Sequence, residues 1–142
     1  MTLEQPDAAP PHLQPALVGV VAVGGALGSL LRLLVADALP HSGGSWPTAT
    51  FVVNLTGAFV LGLLLESLTR SGPDEGWRQR VRLFGGTGFC GGLTTYSALA
   101  VEIDLLTRGH HVGLAAAYGV VSVGAGLVVT AAGVAVAVGV RR

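Results

Sequence analysis

Charged residues are scarce in this chain. They make up 11% of its 142 residues, whereas 51% are hydrophobic, and the mean hydropathy is +0.66. A soluble domain carries about a quarter charged residues, so a soluble bundle of such apolar helices would have too little polar surface to cover itself. The net charge is zero and there is no basic patch, which excludes nucleic acid as a partner. The composition therefore predicts an integral membrane protein.

Cysteine and catalytic groups are also scarce. The single Cys90 excludes an intrachain disulfide, and beside Gly91 we interpret it as a small apolar filler and not as a redox group. Ser97 has no candidate base. The histidines lie in the tail and the loops, without the spacing of a metal site or a catalytic triad: His12, His41, His110 and His111. We therefore predict that the chain is not an enzyme.

Long apolar runs are abundant. Each reaches the roughly 20 residues that a helix needs to cross about 30 Å of hydrocarbon. The four runs are 16–39, 48–68, 82–106 and 112–140. They predict an all-α membrane protein in which residues 16–142 form a single domain of four transmembrane helices. Residues 1–15 contain four prolines and no Lys or Arg, which predicts a short disordered tail and not a signal peptide.

The third run contains the stretch GGTGFCGGLTTYS at residues 85–97, with five glycines and three threonines. A glycine inside a helix costs about 1 kcal/mol relative to alanine, so we predict that the third helix is broken at Gly91–Gly92. Non-helical backbone at membrane depth persists only where protein, water or an ion satisfies its N–H and C=O groups. The break predicts free carbonyls and a new helix N-terminus near the bilayer midplane, which is how membrane proteins build ion sites.

Few polar side chains interrupt the other runs, and each is costly inside a bilayer. Asn54, one turn after Thr50, has two open interpretations: an interhelical hydrogen bond or an amide donor that points into a pore. Tyr118 and Ser122 are four residues apart and form a polar stripe on an otherwise apolar helix. Arg32, late in the first run, either snorkels to the interface or attracts an anion.

These residue types are suited to binding ions. Carbonyl oxygens freed from Gly91 to Thr94 are the ligands that a small hard cation such as Na⁺ prefers. Hydroxyl and amide donors can replace the hydration shell of a small anion, and the helix that restarts near Thr94 adds its positive dipole end. The candidate donors are Asn54, Thr95, Ser97, Tyr118 and Ser122.

The arginines are distributed unequally. With four spans, the termini and the loop between spans two and three share one side of the membrane. Only Arg108 falls on the opposite side. The six arginines on the side of the termini are Arg70, Arg78, Arg80, Arg82, Arg141 and Arg142. Under the positive-inside rule this predicts that both termini are cytoplasmic. Because four helices are too few to enclose a pore, we also expect a dimer or a larger oligomer.

Four stretches, in order, resemble the CrcB/Fluc fluoride channels: GGALGSLLR, FVVNLTGAFVLGLL, GTGFCGGLTTYS and AAAYGVVSVGAGL. The resemblance implies a passive channel in the cell membrane that exports fluoride from the cytoplasm. It also implies antiparallel pairing of four-helix subunits, two pores, and a central structural Na⁺ held by the backbone carbonyls of Gly91 and Thr94. The implied ion pathway contains Asn54, Ser97, Tyr118 and Ser122, with Glu102 near its end and Arg32 at its vestibule.

The chain departs from that family at one place. The family's motif continues as F-S-x-F, whose phenylalanine rings line the fluoride path, whereas this chain has Tyr96 and Leu99. The ring of Tyr96 keeps a positive edge, but Leu99 has none. Gly126 also stands where the stripe of the family often has another hydroxyl.

These departures and the arginine asymmetry leave several hypotheses open. The dimer is either a homodimer or a heterodimer with a homologue of opposite orientation, since a chain that inserts both ways needs a balanced charge distribution. The chain either conducts or is a non-conducting partner that completes the dimer. A small four-helix multidrug exporter is a third hypothesis, but it requires a carboxylate in the middle of the first run, which has only Asp37 near its end.

Overall fold

The computed structural model describes residues 14–140, and within that range the regular secondary structure is helical, without strands. Most of the predicted disordered tail, residues 1–13, lies outside the described residues, as do Arg141 and Arg142. In chain order the elements are α1 (Pro15–Ala38), α2 (Thr48–Thr69), α3 (Trp77–Val81), a π-helical segment (Arg82–Cys90), α4 (Gly91–Leu93), α5 (Tyr96–Arg108) and α6 (Val112–Gly139).

Three of the described helices are long and apolar enough to span a membrane. They are α1, α2 and α6, with 24, 22 and 28 residues, and they match the predicted first, second and fourth spans to within a residue or so. The predicted third span, 82–106, is divided among the π-helical segment, α4 and α5, so that no one helix of it reaches spanning length. We call residues 82–108 the divided segment.

The divided segment is broken at Thr94–Thr95, and the prediction of a break at Gly91–Gly92 is wrong. Gly91 has helical dihedral angles (φ −64°, ψ −34°), whereas Thr94 and Thr95 are extended, with ψ of 153° and 116°. Thr95 is suited to this position because its hydroxyl accepts the N–H of Ala98 at 3.1 Å and so caps α5. The nearby glycines are explained by packing.

Glycines join α1 to the divided segment. A Cβ on Gly28 would collide with the carbonyl of Phe89, and a Cβ on Gly92 would collide with the carbonyl of Gly25. The two sides of this contact show the same spacing of glycines four residues apart: Gly24 and Gly28 on α1, Gly88 and Gly92 on the divided segment. Such spacing lets two helix backbones approach closely within a membrane. Gly92 is therefore required for contact between helices and not for a break.

The contact between α2 and α6 is built in the same way. A Cβ on Gly62 would lie 2.6 Å from the carbonyl oxygen of Thr130, and a Cβ on Gly133 would collide with the carbonyl of Phe59. At one end of this pair, Trp46 packs edge-on against Phe51 and Tyr118, with ring centroids 5.4 Å and 5.2 Å apart. The fold thus holds α2 and α6 together while the break in the divided segment lies beside them.

Candidate ion pathway

Asn54 on α2 holds the break in place. Its Oδ1 accepts the N–H of Thr95 at 2.8 Å, and its Nδ2 donates to the carbonyl of Thr95 at 3.3 Å. Of the two interpretations of Asn54, the structure shows the interhelical hydrogen bond, made to backbone and not to a side chain. One amide therefore satisfies both the N–H and the C=O of Thr95 at the break.

Carbonyls that precede the break lose their helical partners, among them those of Gly91 and Thr94. In a continuous helix the N–H of Thr95 would donate to Gly91, and that of Ala98 would donate to Thr94. Here those groups donate to Asn54 Oδ1 and to Thr95 Oγ1. Gly91 is also exposed, and a Cβ added to it would meet no atom within 4 Å. The carbonyls of Gly91 and Thr94 are thus among those that the break releases.

A cavity of about 350 Å³ lies between α2, the break and α6. It brings together residues from three predicted spans that are distant in sequence. The predicted site residues in its lining are Asn54, Thr94, Thr95, Tyr96, Leu99 and Ser122. Tyr96 is 82% exposed in the single chain, whereas Leu99 is 8% exposed and belongs to the apolar core beside Tyr118. Their roles in conduction stay predictions.

The polar stripe of α6 is buried without hydrogen bonds. Tyr118 is 0% exposed and Ser122 is 8% exposed, and neither hydroxyl has a hydrogen-bond partner within the described residues. The Tyr118 hydroxyl lies near the hydroxyls of Ser122 and Thr50 and within electrostatic range of the Glu102 carboxylate, but makes no hydrogen bond of normal geometry with them. A buried unsatisfied hydroxyl costs about 1–3 kcal/mol, and a bound water or ion is its usual explanation.

One residue that lines the cavity was not predicted from the sequence. Thr130 lines the cavity two turns after Ser122, and its hydroxyl donates to the carbonyl of Gly126 at 2.8 Å. The spacing of four residues from Tyr118 through Ser122 and Gly126 to Thr130 could have identified Thr130, because it places all four on one face of the helix. The hydroxyl that Gly126 lacks is therefore present one turn further along the same face.

Glu102 has a partner that the sequence analysis did not identify. Its Oε2 lies 3.1 Å from Nε2 of His41 in the loop between α1 and α2. The Glu102 side chain is 16% exposed and that of His41 is 30% exposed. Because 61 residues separate the two groups in the chain, no local pattern indicates this pair.

Arg32 and Ser97 lie apart from the 350 Å³ cavity. Arg32 lines a second cavity of about 420 Å³ between α1, α2 and α5, together with Thr50 and Thr95. Ser97 is exposed, and its hydroxyl lies 3.1 Å from the hydroxyl of Thr95. Thr95 and Thr50 thus stand between the cavity that contains Arg32 and the residues of the polar stripe.

Comparison with known proteins gives this arrangement a context. Residues 19–134 match the family of CrcB-like proteins, described as Camphor Resistance (CrcB). The chain belongs to the CrcB family. Among its relatives, "Fluoride-specific ion channel FluC 2" of Leifsonia xyli is 47% identical over 135 residues, which cover 94% of this chain and 92% of that protein. "Fluoride-specific ion channel FluC" of Deinococcus radiodurans is 42% identical, over 80% of this chain and 88% of that protein.

A third relative, "Fluoride-specific ion channel FluC 1" of Cutibacterium acnes, is 54% identical over 89 residues, or 63% of this chain and 62% of that protein. The CrcB family is one of ion channels, which confirms the predictions that the chain is not an enzyme and that it belongs to this family. Its three apolar helices and its ion-channel relatives together confirm a membrane protein. The multidrug-exporter hypothesis has no support from these findings.

Proposed function

We propose that the chain is a subunit of a fluoride-selective channel that passively exports fluoride and lowers its cytoplasmic concentration. The observation that carries the proposal is the pair of buried, unpartnered hydroxyls of Tyr118 and Ser122 beside the cavity that Asn54 lines. A small anion that accepts hydrogen bonds satisfies such donors, and fluoride is the strongest acceptor among the halides. The names of the relatives support fluoride over other anions.

The pathway follows from the order of these groups. The guanidinium of Arg32 attracts an anion into the 420 Å³ cavity, where Thr50 and Thr95 offer hydroxyls. Tyr118 and Ser122 then replace water in the hydration shell of the ion, and Glu102 marks the end of the stripe. Each group before Glu102 is neutral or positive, so the anion meets increasing hydrogen bonding along the stripe, and Glu102 lies paired with His41 at its end.

The carbonyls of Gly91 and Thr94 fit a structural Na⁺ in donor chemistry, because hard cations prefer oxygen ligands and the break has removed the helical partners of both oxygens. A bound cation supplies a fixed positive charge beside the pathway. Two oxygens from one chain do not complete a coordination shell, which supports placing the ion at an axis shared with a second subunit.

The dimer that we propose is antiparallel, and the divided segment crosses the membrane in each subunit as the fourth span. Gly91 and Tyr96 support this arrangement because both are exposed near the break in the single chain. The excess of arginine on the side of the membrane that holds the termini supports cytoplasmic termini for this chain and a homologue of opposite orientation as its partner. The numbers 1 and 2 in the names of two relatives accord with paired chains.

Fluoride efflux from liposomes tests the proposal. We expect the protein, alone or with an oppositely oriented homologue, to release fluoride but not chloride. Efflux from the protein alone indicates a homodimer, and efflux only with the homologue indicates a heterodimer. Tags at both termini map the orientation, and termini found on both sides contradict the heterodimer.

A second function, that of a non-conducting partner subunit, is favoured by one observation. Leu99, where the family has a phenylalanine, is buried in the lining of the cavity and offers no ring edge to an anion. Leu99→Phe tests this alternative: if the partner role is right, the substitution gives efflux to a chain that had none. If Leu99→Phe adds no efflux to a dimer that already conducts, the result supports the channel function only for the pore that does not contain Leu99.

A further inference from the structure

The loop between α1 and α2 lies over the end of the polar stripe and is held there at three points. His41 contacts Glu102 on α5 at 3.1 Å, and Trp46 packs edge-on against Tyr118 on α6. Gly44, with φ of 86°, lies against the ring of His111 at the start of α6. The loop is thus fixed to both helices that carry the end of the proposed pathway.

Glu102 has two potential partners in this region. Its carboxylate is paired with His41, yet it also lies within electrostatic range of the Tyr118 hydroxyl, which has no hydrogen-bond partner within the described residues. A hydrogen bond from a hydroxyl to a carboxylate is short and strong, so a Glu102 carboxylate without His41 would accept a hydrogen bond from the hydroxyl of Tyr118. The contact with His41 therefore keeps the carboxylate away from a donor that the stripe requires.

We propose that His41 is a positioning residue for conduction, an inference that rests on the proposed fluoride channel. The imidazolium of His41 holds the Glu102 carboxylate and neutralises it, which leaves the Tyr118 hydroxyl free to bind fluoride. When His41 loses its proton, the carboxylate is no longer neutralised. It then accepts the hydrogen bond from Tyr118 and repels the anion at the end of the pathway.

The titratable groups that face this pair determine the pH dependence. Glu102 comes from α5 and Tyr118 from α6, and His111 packs on the same loop through Gly44. Histidine changes its charge between pH 5 and 8, whereas carboxyl and phenol groups ordinarily do not. The expected sign follows from the pairing: fluoride efflux is fastest in acid and falls as the pH rises through this range.

Liposome efflux with the same pH on both faces tests the inference. We expect the wild-type protein, in its conducting dimer, to release fluoride about tenfold faster at about pH 5.5 than at about pH 8, the factor for loss of one charge-assisted hydrogen bond. His41→Ala is slow at both values. His41→Arg, which keeps a positive charge, is fast at both. Protein-free liposomes at each pH correct for the diffusion of hydrogen fluoride through lipid.

The matched control is His110→Asn. His110 lies at the same end of the molecule, makes no side-chain hydrogen bond within residues 14–140, and has φ of 63°, which asparagine tolerates. This variant keeps the wild-type pH profile. If His41→Arg retains the wild-type pH profile, the inference about His41 is overturned. Fluoride efflux by the wild-type protein would still support the proposed function. Absence of wild-type fluoride efflux, alone and with the homologue, overturns both.

Discussion

The divided segment has two faces of opposite character. Towards α1 it presents glycines, and backbone meets backbone without space for a single added carbon. Towards α2 and α6 it presents Thr94, Thr95 and Leu99 to a cavity of about 350 Å³, whose lining includes the unpartnered hydroxyl of Ser122. The first face gains stability from close contact, and the second keeps polar groups unsatisfied at a cost in stability. This contrast separates residues that hold the fold from residues that are free to bind an ion.

The largest expected effect is on the glycine face. Gly28→Val places its side chain against the carbonyl of Phe89 and the N–H of Leu93, both of which are backbone groups that cannot move aside. We expect a loss of about 3 kcal/mol or more in stability, or no folded protein. Thermal unfolding of the purified protein in detergent measures this effect. Gly19→Val in the same helix, where a Cβ meets nothing within 4 Å, is the control and leaves the melting temperature nearly unchanged.

Asn54 connects the two faces, because it stabilises the break that the cavity requires. Asn54→Ala removes both hydrogen bonds to Thr95 and leaves a partly buried backbone donor without a partner, so we expect a loss of about 2 kcal/mol. Fluoride efflux falls together with stability. Thr56→Ala, an exposed position on the same helix, changes stability by no more than about 0.5 kcal/mol. Unchanged stability in Asn54→Ala contradicts the anchoring role.

The stripe of α6 is expected to behave in the opposite way. Tyr118→Phe and Ser122→Ala remove hydroxyls that have no partner in the described part of the protein, so unfolding temperatures stay the same or rise slightly. Fluoride efflux nevertheless falls by about tenfold, because each hydroxyl contributes one hydrogen bond to the ion. Measurements of both thermal unfolding and fluoride efflux on each variant test these two expectations. A variant that loses stability but conducts normally contradicts the contrast between the two faces.

The smallest effect is expected outside both faces. Arg108 and Asp104 form an ion pair at 2.7 Å, with side chains 77% and 55% exposed. Exposed pairs of this kind contribute little, so Asp104→Asn changes stability by less than about 0.5 kcal/mol, and salt reduces even that difference. Thermal unfolding at low and high ionic strength tests the expectation. A large effect would show that this end of α5 is less accessible to solvent than the single chain indicates.

Much of this contrast was predictable from sequence, because it is present in local patterns. Runs of apolar residues indicated the boundaries of α1, α2 and α6, and the spacing of Tyr118 and Ser122 indicated the stripe. The position of the break was not predictable from glycine content. Gly92 faces the carbonyl of Gly25, so its lack of a side chain is explained by a neighbour 67 positions away and not by its own backbone. Thr95 carries the break because Asn54, distant in sequence, satisfies it.

The same limit applies to the end of the pathway. His41 is in a loop with no metal or catalytic spacing, and only the fold brings it to Glu102. Thr130, in contrast, was accessible from the sequence, since it continues the four-residue spacing of the stripe beyond Gly126. Periodicity within one helix can be recognised in a sequence, whereas contacts between helices cannot, because they depend on how the helices pack.

The aromatic contacts also give the protein two optical reporters. Trp46 touches the ring of Tyr118 at one end of α2, and Trp77, 60% exposed and beside the guanidinium of Arg78, lies beyond the other end. A helix of 22 residues places them about 30 Å apart. With Trp77 replaced by phenylalanine, the emission of the remaining indole reports on the environment of Tyr118, and anion binding can be followed in equilibrium without measuring flux.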